Sequence, residues 1–416
     1  MWRLMPFLIV AYLFAYIDRA NLGVAKLQMQ ADLKFTDATI GLGAGIFFIG
    51  YFLLEIPGSL IVERSSARKW FGRIMITWGI VAALTGLIAN STQFYVARFL
   101  LGTAEAGFFP GAVVYLSHWF QYEERTRAKS WFMMTQPLAV VIGTPVSRWI
   151  LDNIHWNAWA GWRWVFILEG IPPVLLGIFA LFYLTDRPAE ARWLPDDEKR
   201  WLLDELKEEE TRKTAAGRVR ILDAFRHKQT LLLMAVFFLI VTCNQAILFF
   251  LPSITSNMKS LSVFWQTGVA IMPYLCSMIG ILVNGYWSSR TGERRWHTAT
   301  PILLTAGSLA GAVLSGGNLP LTILFLCLIG FSFQAYLPVF WTLPTLFLGK
   351  DAAATAIGTI NSVGNLGGFA GPYLFGYLRT MTGNFNAGLW FAMGCMLISG
   401  LLATRIHVEN KHAQKS

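Results

Sequence analysis

Tyr16-Ile17-Asp18-Arg19-Ala20-Asn21 places an acid and a base side by side within the first long apolar run of the chain. Ionisable groups at such depth are costly, so each needs a partner, a water-filled cavity or a task. The run around them decides the fold class. Residues 4–26 are long enough to cross a bilayer, which takes about 20 apolar residues. The same measure finds spans near 39–61, 70–89, 93–118, 129–151 and 163–184. After a gap come 230–251, 264–288, 298–316, 320–346, 354–379 and 386–405. The expectation is an all-α integral membrane protein with about twelve transmembrane helices in two groups of six. Several runs exceed the minimum and hold Gly or Pro, as tilted and bent bundle helices do.

Composition agrees. Of 416 residues, 55% are hydrophobic and 14% charged, where a soluble chain carries roughly 25% charged. The net charge of +10 belongs to cytoplasmic loops. No basic stripe interleaves with stacking aromatics, so nucleic acid is not an expected partner. Cys243, Cys276, Cys327 and Cys395 lie in apolar runs without a CxxC and read as small buried hydrophobes. The histidines (His118, His155, His227, His297, His407 and His412) show no metal-ligand spacing, and no phosphate-loop or hydrolase motif occurs. Neither an enzyme, a cofactor nor a metal is expected. The first run is too long for a signal h-region and lacks a small-residue cleavage site, so it reads as a span.

Three parts follow: an N-terminal bundle at 1–185, a cytoplasmic linker at 186–228 and a C-terminal bundle at 229–416. Within the linker, Pro195-Asp196-Asp197-Glu198 is a helix start, and Trp201, Leu202, Leu203 and Leu206 give one apolar side. That pattern predicts an amphipathic helix near the membrane surface. Arg64, Arg68, Lys69 and Arg73 follow the second span, Arg125, Arg127 and Lys129 the fourth, and Arg290, Arg294 and Arg295 the eighth. With basic loops inside, both termini are cytoplasmic. Trp156, Trp159, Trp162 and Trp164 then mark the outer interface.

The halves are related. A step of 226 carries Arg64 to Arg290, Arg68 to Arg294, Lys69 to Arg295 and Trp70 to Trp296; a step of 227 carries Pro145 to Pro372. Two parallel six-helix repeats are expected, an arrangement that places a binding site between them near the midplane. The same step takes Asp18 only to Asn244 or Gln245, and Glu105 to Phe331. The intramembrane charges thus belong to the first half alone.

Arg98 and Glu105 sit seven apart, two turns and about 10 Å along nearly one helix face, with Gly102 expected to leave open space between them. Asp18 and Arg19 diverge by about 100° around the first span, so one should face its own bundle and the other the cavity. A guanidinium is the natural receiver of a carboxylate. An anion that takes over an arginine frees the acid that held it to bind a proton, which couples the two ligands. A closed ion-pair network without a ligand is the alternative. Tyr16, Tyr51, Gln136, Trp341, Asn361 and Asn365 each read alone as interhelical glue. Glu55 near the basic loop and Glu169 near the Trp belt read as structural or interfacial.

Taken together, Tyr16-Ile17-Asp18-Arg19-Ala20-Asn21, Arg98-Phe-Leu-Leu-Gly-Thr-Ala-Glu105, Phe340-Trp341-Thr342-Leu343-Pro344 and Asn361-Ser-Val-Gly-Asn365-Leu-Gly-Gly368 resemble the major facilitator superfamily. The nearest likeness is to its anion:cation symporters, which include bacterial galactonate, tartrate, glucarate and phthalate transporters. The superfamily's signature loop departs from its pattern, with Glu63 and Ser66 in place of Asp and Gly, and Ser289 at the acidic position of the second copy. The resemblance implies that Asp18 and Glu105 carry protons. It implies that Arg19 and Arg98 meet the substrate carboxylate, with Tyr16, Tyr51, Gln136, Trp341 and Asn361 around the bound sugar acid. The expected function is proton-coupled uptake of a small organic anion, by a monomer in a bacterial inner membrane. An anion exchanger and a non-transporting membrane sensor are the rivals.

Overall fold

Prolines and glycines decide where the expected spans run straight and where they break. The computed structural model describes residues 3–64, 66–120, 122–214, 228–347 and 350–407. The connector at 215–227, His227, His412 and the side chains of Arg64, Arg125, Arg127 and Lys129 lie outside the described part. In the first half the helices are α1 (Leu4–Leu33), α2 (Asp37–Arg64), α3 (Ala67–Thr85), α4 (Ser91–Glu105), α5 (Phe108–Trp119), α6 (Tyr122–Asn153), α7 (Gly161–Tyr183) and α8 (Asp196–Thr214). In the second they are α9 (Lys228–Ser256), α10 (Val263–Thr291), α11 (Arg295–Leu314), α12 (Leu319–Phe333), α13 (Leu337–Phe340), α14 (Pro344–Phe347), α15 (Lys350–Asn365), α16 (Gly367–Thr382) and α17 (Asn386–Ala403). No strand occurs among the described residues.

Three expected spans are interrupted. The run at 93–118 breaks after Glu105, where Gly107 takes φ 83°. Pro110 explains the break: inside a continuous helix its ring would clash with the Ala106 carbonyl, and it has no N–H to donate there. The run at 320–346 breaks twice, between Phe333 and Leu337 and again after Phe340, with Pro338 four residues past Gln334 and Pro344 four past Phe340. The run at 354–379 parts at Leu366. Among the described residues, nine helical stretches are long and apolar enough to cross a membrane. The third expected span misses that measure because Arg68, Lys69 and Arg73 fall in its first turns.

The chain divides into two compact units, Met1–Ala216 and Gly217–Ser416, and each repeats one packing scheme. In the first unit α1 packs on α6, α2 on α4 and α3 on α7. In the second, α9 packs on α15 and α16, α10 on α12 and α11 on α17. First span on fifth, second on fourth, third on sixth: the order is the same, as two six-helix repeats require. Helices in lipid associate by close backbone approach at small residues, and those contacts recur too. A Cβ on Gly102 would lie 2.0 Å from the Phe47 carbonyl oxygen, and one on Gly330 2.1 Å from that of Pro273.

Two local expectations are corrected. Gly102 leaves no open space, because the α2 backbone fills it. Trp162 does not sit at an interface: it is fully buried and its indole N–H donates to Asp32 at 2.9 Å, while Trp156 stays 59% exposed. At the opposite end of the first unit, the residues after α7 dock on the bundle. Asp186 accepts from the Arg68 backbone N–H at 2.7 Å, and Trp193 stacks on Trp119. In the second unit Glu293 accepts from the backbone N–H groups of Trp296 and His297, at 2.7 and 3.2 Å, at the start of α11. An acid one turn later thus meets the helix N-terminus where Ser289 departs from the superfamily pattern.

Candidate functional site

The ionisable residues of the first unit converge. Asp18, Arg19, Arg98 and Glu105 are all buried. Arg19 donates to the Glu105 carboxylate across α1 and α4. Its guanidinium also lies 5.1 Å from the ring of Tyr16, 5.2 Å from Phe47 and 5.1 Å from Tyr51. Cations over aromatic faces gain about 1 kcal/mol or more when desolvated. Glu105 reaches this partner from the last residue of α4, so the break at Gly107 sits directly beside an acid of the site.

Arg98 is different. It is 0% exposed, and none of its three guanidinium nitrogens has a hydrogen-bond partner among the described residues. It lies 5.0 Å from the Phe47 ring, so one phenyl ring serves both arginines. Asp18 is its electrostatic counterpart, and one Asp18 oxygen also has no hydrogen-bond partner. The expectation that Asp18 and Arg19 face different surroundings takes a definite form: Arg19 is committed to Glu105, while Asp18 faces Arg98 without a hydrogen bond.

Gln136 on α6 donates to the Tyr12 hydroxyl at 2.8 Å, and Tyr12 packs edge-on to Tyr16 and stacks on Phe132. Tyr16 and Tyr51 therefore flank Arg19, and Gln136 reaches this group through Tyr12. Trp341 and Asn361 belong to the second unit. Trp341 packs against Phe237, with its indole N–H buried and without a hydrogen-bond partner among the described residues.

Sequence reasoning passed over several groups. Tyr12 is one turn before Tyr16 on the same face, a spacing that could have flagged it. Phe47 carried no signal, being one phenylalanine among many. Lys26 is fully buried and donates to Asp37 at 3.2 Å, and a lysine closing an apolar run was visible. Glu169 is corrected: it is not interfacial but buried, accepting from Asn21 at 2.9 Å and Ser147 at 2.7 Å.

The family model described as "Major Facilitator Superfamily" matches residues 8–372. The chain belongs to the major facilitator superfamily. This superfamily member is 40% identical over 403 residues to a protein of Agrobacterium vitis named "Putative tartrate transporter", covering 96% of this chain and 92% of that one. It is 35% identical to the "Inner membrane transport protein RhmT" of Escherichia coli, covering 99% and 95%. Its fold matches a crystal structure of a bacterial homologue of the human lysosomal transporter Spinster, with a TM-score of 0.73 at 16% identity over 96% of this chain and 93% of that one. The protein is a membrane transporter, not an enzyme, and its substrate is a small molecule.

Proposed function

We propose that this transporter takes up a small organic anion, of the hydroxy-carboxylate class to which tartrate belongs, together with protons. The observation that carries the reading is Arg98. A charged donor buried without an acceptor costs about 1–3 kcal/mol or more, and a carboxylate bound bidentately removes that cost. The tartrate-named relative supports the substrate class.

Glu105 and Asp18 are the proposed proton carriers. A proton on Glu105 releases Arg19, and a proton on Asp18 leaves Arg98 as an uncompensated cation, so loading the acids readies both arginines for the anion. Loss of those protons on the cytoplasmic side restores the acid–base pairs and expels the ligand by alternating access. Tyr16, Tyr51 and Gln136, with Trp341 and Asn361 of the second unit, are proposed to contact the substrate hydroxyls. The inner membrane, with both termini cytoplasmic and a monomer as the working unit, is the proposed setting; the relative from Escherichia coli named for that membrane supports it.

The deciding experiment follows L-tartrate uptake into proteoliposomes under an imposed inward proton gradient. Concentrative uptake abolished by a proton uncoupler is expected. Uptake unaffected by the uncoupler points to anion exchange instead.

A further inference from the structure

Glu169 lies near the middle of α7, buried, and makes no ion pair among the described residues. Its neighbours can be taken element by element. From α1, Asn21 donates to Oε2, and Asp18 is the ionisable group within electrostatic reach. From α6, Ser147 donates to Oε1, while Arg148 is turned to Asp152 at 2.7 Å. From α3, the wall against Gly170 is the backbone of Gly79 and Ala83. A carboxyl held by two neutral donors, with another acid as its nearest charged neighbour, is costly to leave ionised in a membrane.

Asn21 is the informative residue. Its Nδ2 engages Glu169, whereas its Oδ1 is buried with no hydrogen-bond partner. Asp18, one turn earlier on α1, also interacts with the Asn21 side chain and keeps an oxygen without a partner. A carboxamide has two donors at one end, an acceptor at the other and nearly the same shape when turned over. With Glu169 ionised, the amide donates to it. When Glu169 holds a proton on Oε1, its O–H donates to the Ser147 hydroxyl, and Oε2 goes on accepting from Asn21. The second Nδ2 hydrogen serves Asp18 in the same orientation.

We propose that Glu169 is a third proton-binding carboxyl of this transporter, linked to Asp18 by the Asn21 amide they share and by the repulsion between the two carboxylates. The proton comes from hydronium in the aqueous phase: its O–H bond breaks as the carboxyl O–H of Glu169 forms, and water is left. Repulsion between the two carboxylates favours an ionised Asp18 when Glu169 is protonated, and a protonated Asp18 when it is not. The two acids therefore share one proton across the outer part of α1. The linkage rests on Asp18 as a proton carrier, while proton binding at Glu169 stands independently of the transported anion.

The test is infrared difference spectroscopy of the full-length protein in nanodiscs, between mildly acidic and mildly alkaline pH, without substrate. A protonated-carboxyl band present in the wild type should vanish in Glu169→Gln, which preserves shape and both hydrogen-bonding neighbours. In Ser147→Ala the band should persist at a displaced frequency, which keeps the assignment testable if the glutamine variant does not fold. Asp18→Asn should move the Glu169 titration midpoint down by about one pH unit, a tenfold change in proton affinity. A spectrum unchanged in Glu169→Gln or in Ser147→Ala overturns the proton site. A Glu169 midpoint unmoved by Asp18→Asn overturns the linkage between the two acids. Absence of an Asp18 band, judged by Asp18→Asn, removes only the Asp18 part of the proposed function.

Discussion

Gly102 on α4 lies directly against the backbone of Phe47 on α2: a Cβ added to the glycine would sit 2.0 Å from the Phe47 carbonyl oxygen. The contact joins packing to function, because the Phe47 ring lies 5.2 Å from the Arg19 guanidinium and 5.0 Å from that of Arg98. Helix association at a glycine thus places the aromatic floor beneath both arginines.

Gly102→Val should force α2 and α4 apart and cost about 1–3 kcal/mol, as overpacking of a close contact does. Thermal unfolding in detergent should show a lowered midpoint, and tartrate affinity by calorimetry should fall with it. Gly330→Val, which meets Pro273 in the second unit, should lower the midpoint comparably. A Gly102→Val protein as stable as the wild type would count against this reading of the contact.

Arg98→Ala should weaken tartrate binding by roughly ten- to a hundredfold, the range of about 1.5–3 kcal/mol for a hydrogen bond to a charged group. Arg98→Lys keeps the charge without the paired donors and should recover only part of the loss. Calorimetry on purified protein decides it; unchanged affinity in Arg98→Ala removes the carboxylate contact.

Glu105→Gln should separate binding from coupling. The variant holds a permanently neutral side chain opposite Arg19, so substrate counterflow should survive while uptake driven by a proton gradient fails. Counterflow should also lose much of its pH dependence. Normal concentrative uptake by the variant would take Glu105 out of the coupling role.

Tyr12→Phe leaves the ring stacked on Phe132 but deprives Gln136 of its acceptor. A neutral hydrogen bond is worth about 0.5–1.5 kcal/mol net, so a two- to tenfold loss of tartrate affinity is expected, with little change in melting. Equal affinity for the two proteins would separate Gln136 from the ligand.

Arg163 and Asp32 should behave unequally. Arg163 donates to the Gly86 and Ile88 carbonyls at 3.0 and 2.9 Å, just past the end of α3, whereas its contact with Asp32 is 3.5 Å and partly exposed. Asp32→Asn should cost well under 1 kcal/mol from that ion pair, and Arg163→Ala should lower the thermal midpoint distinctly more. The reverse order would contradict this account of the loop between α3 and α4.

The all-helical membrane character, the division into two units, and the placement of Asp18, Arg19, Arg98 and Glu105 within apolar helices were legible in the chain. Each depends on local hydropathy or on the cost of charge in lipid, and both are properties of residues in order. Half-to-half spacing of Arg64 and Arg290 was legible for the same reason. The breaks at Gly107 and Phe340 were partly visible, since Pro110 and Pro344 carry them, but hydropathy alone reads straight through a broken helix. Tertiary structure alone decided the partners. Nothing local tells whether Arg19 or Arg98 takes Glu105, that Phe47 serves both arginines, or that Glu169 turns inward to Asn21 rather than outward to the tryptophans. Those choices depend on how closely α1, α2, α4, α6 and α7 settle, and backbone contacts such as Gly102 of α4 on Phe47 of α2 fix part of that spacing. Asp18-Arg19 remains the stretch that identifies the fold, but its two side chains acquire their separate partners only when the helices close around them.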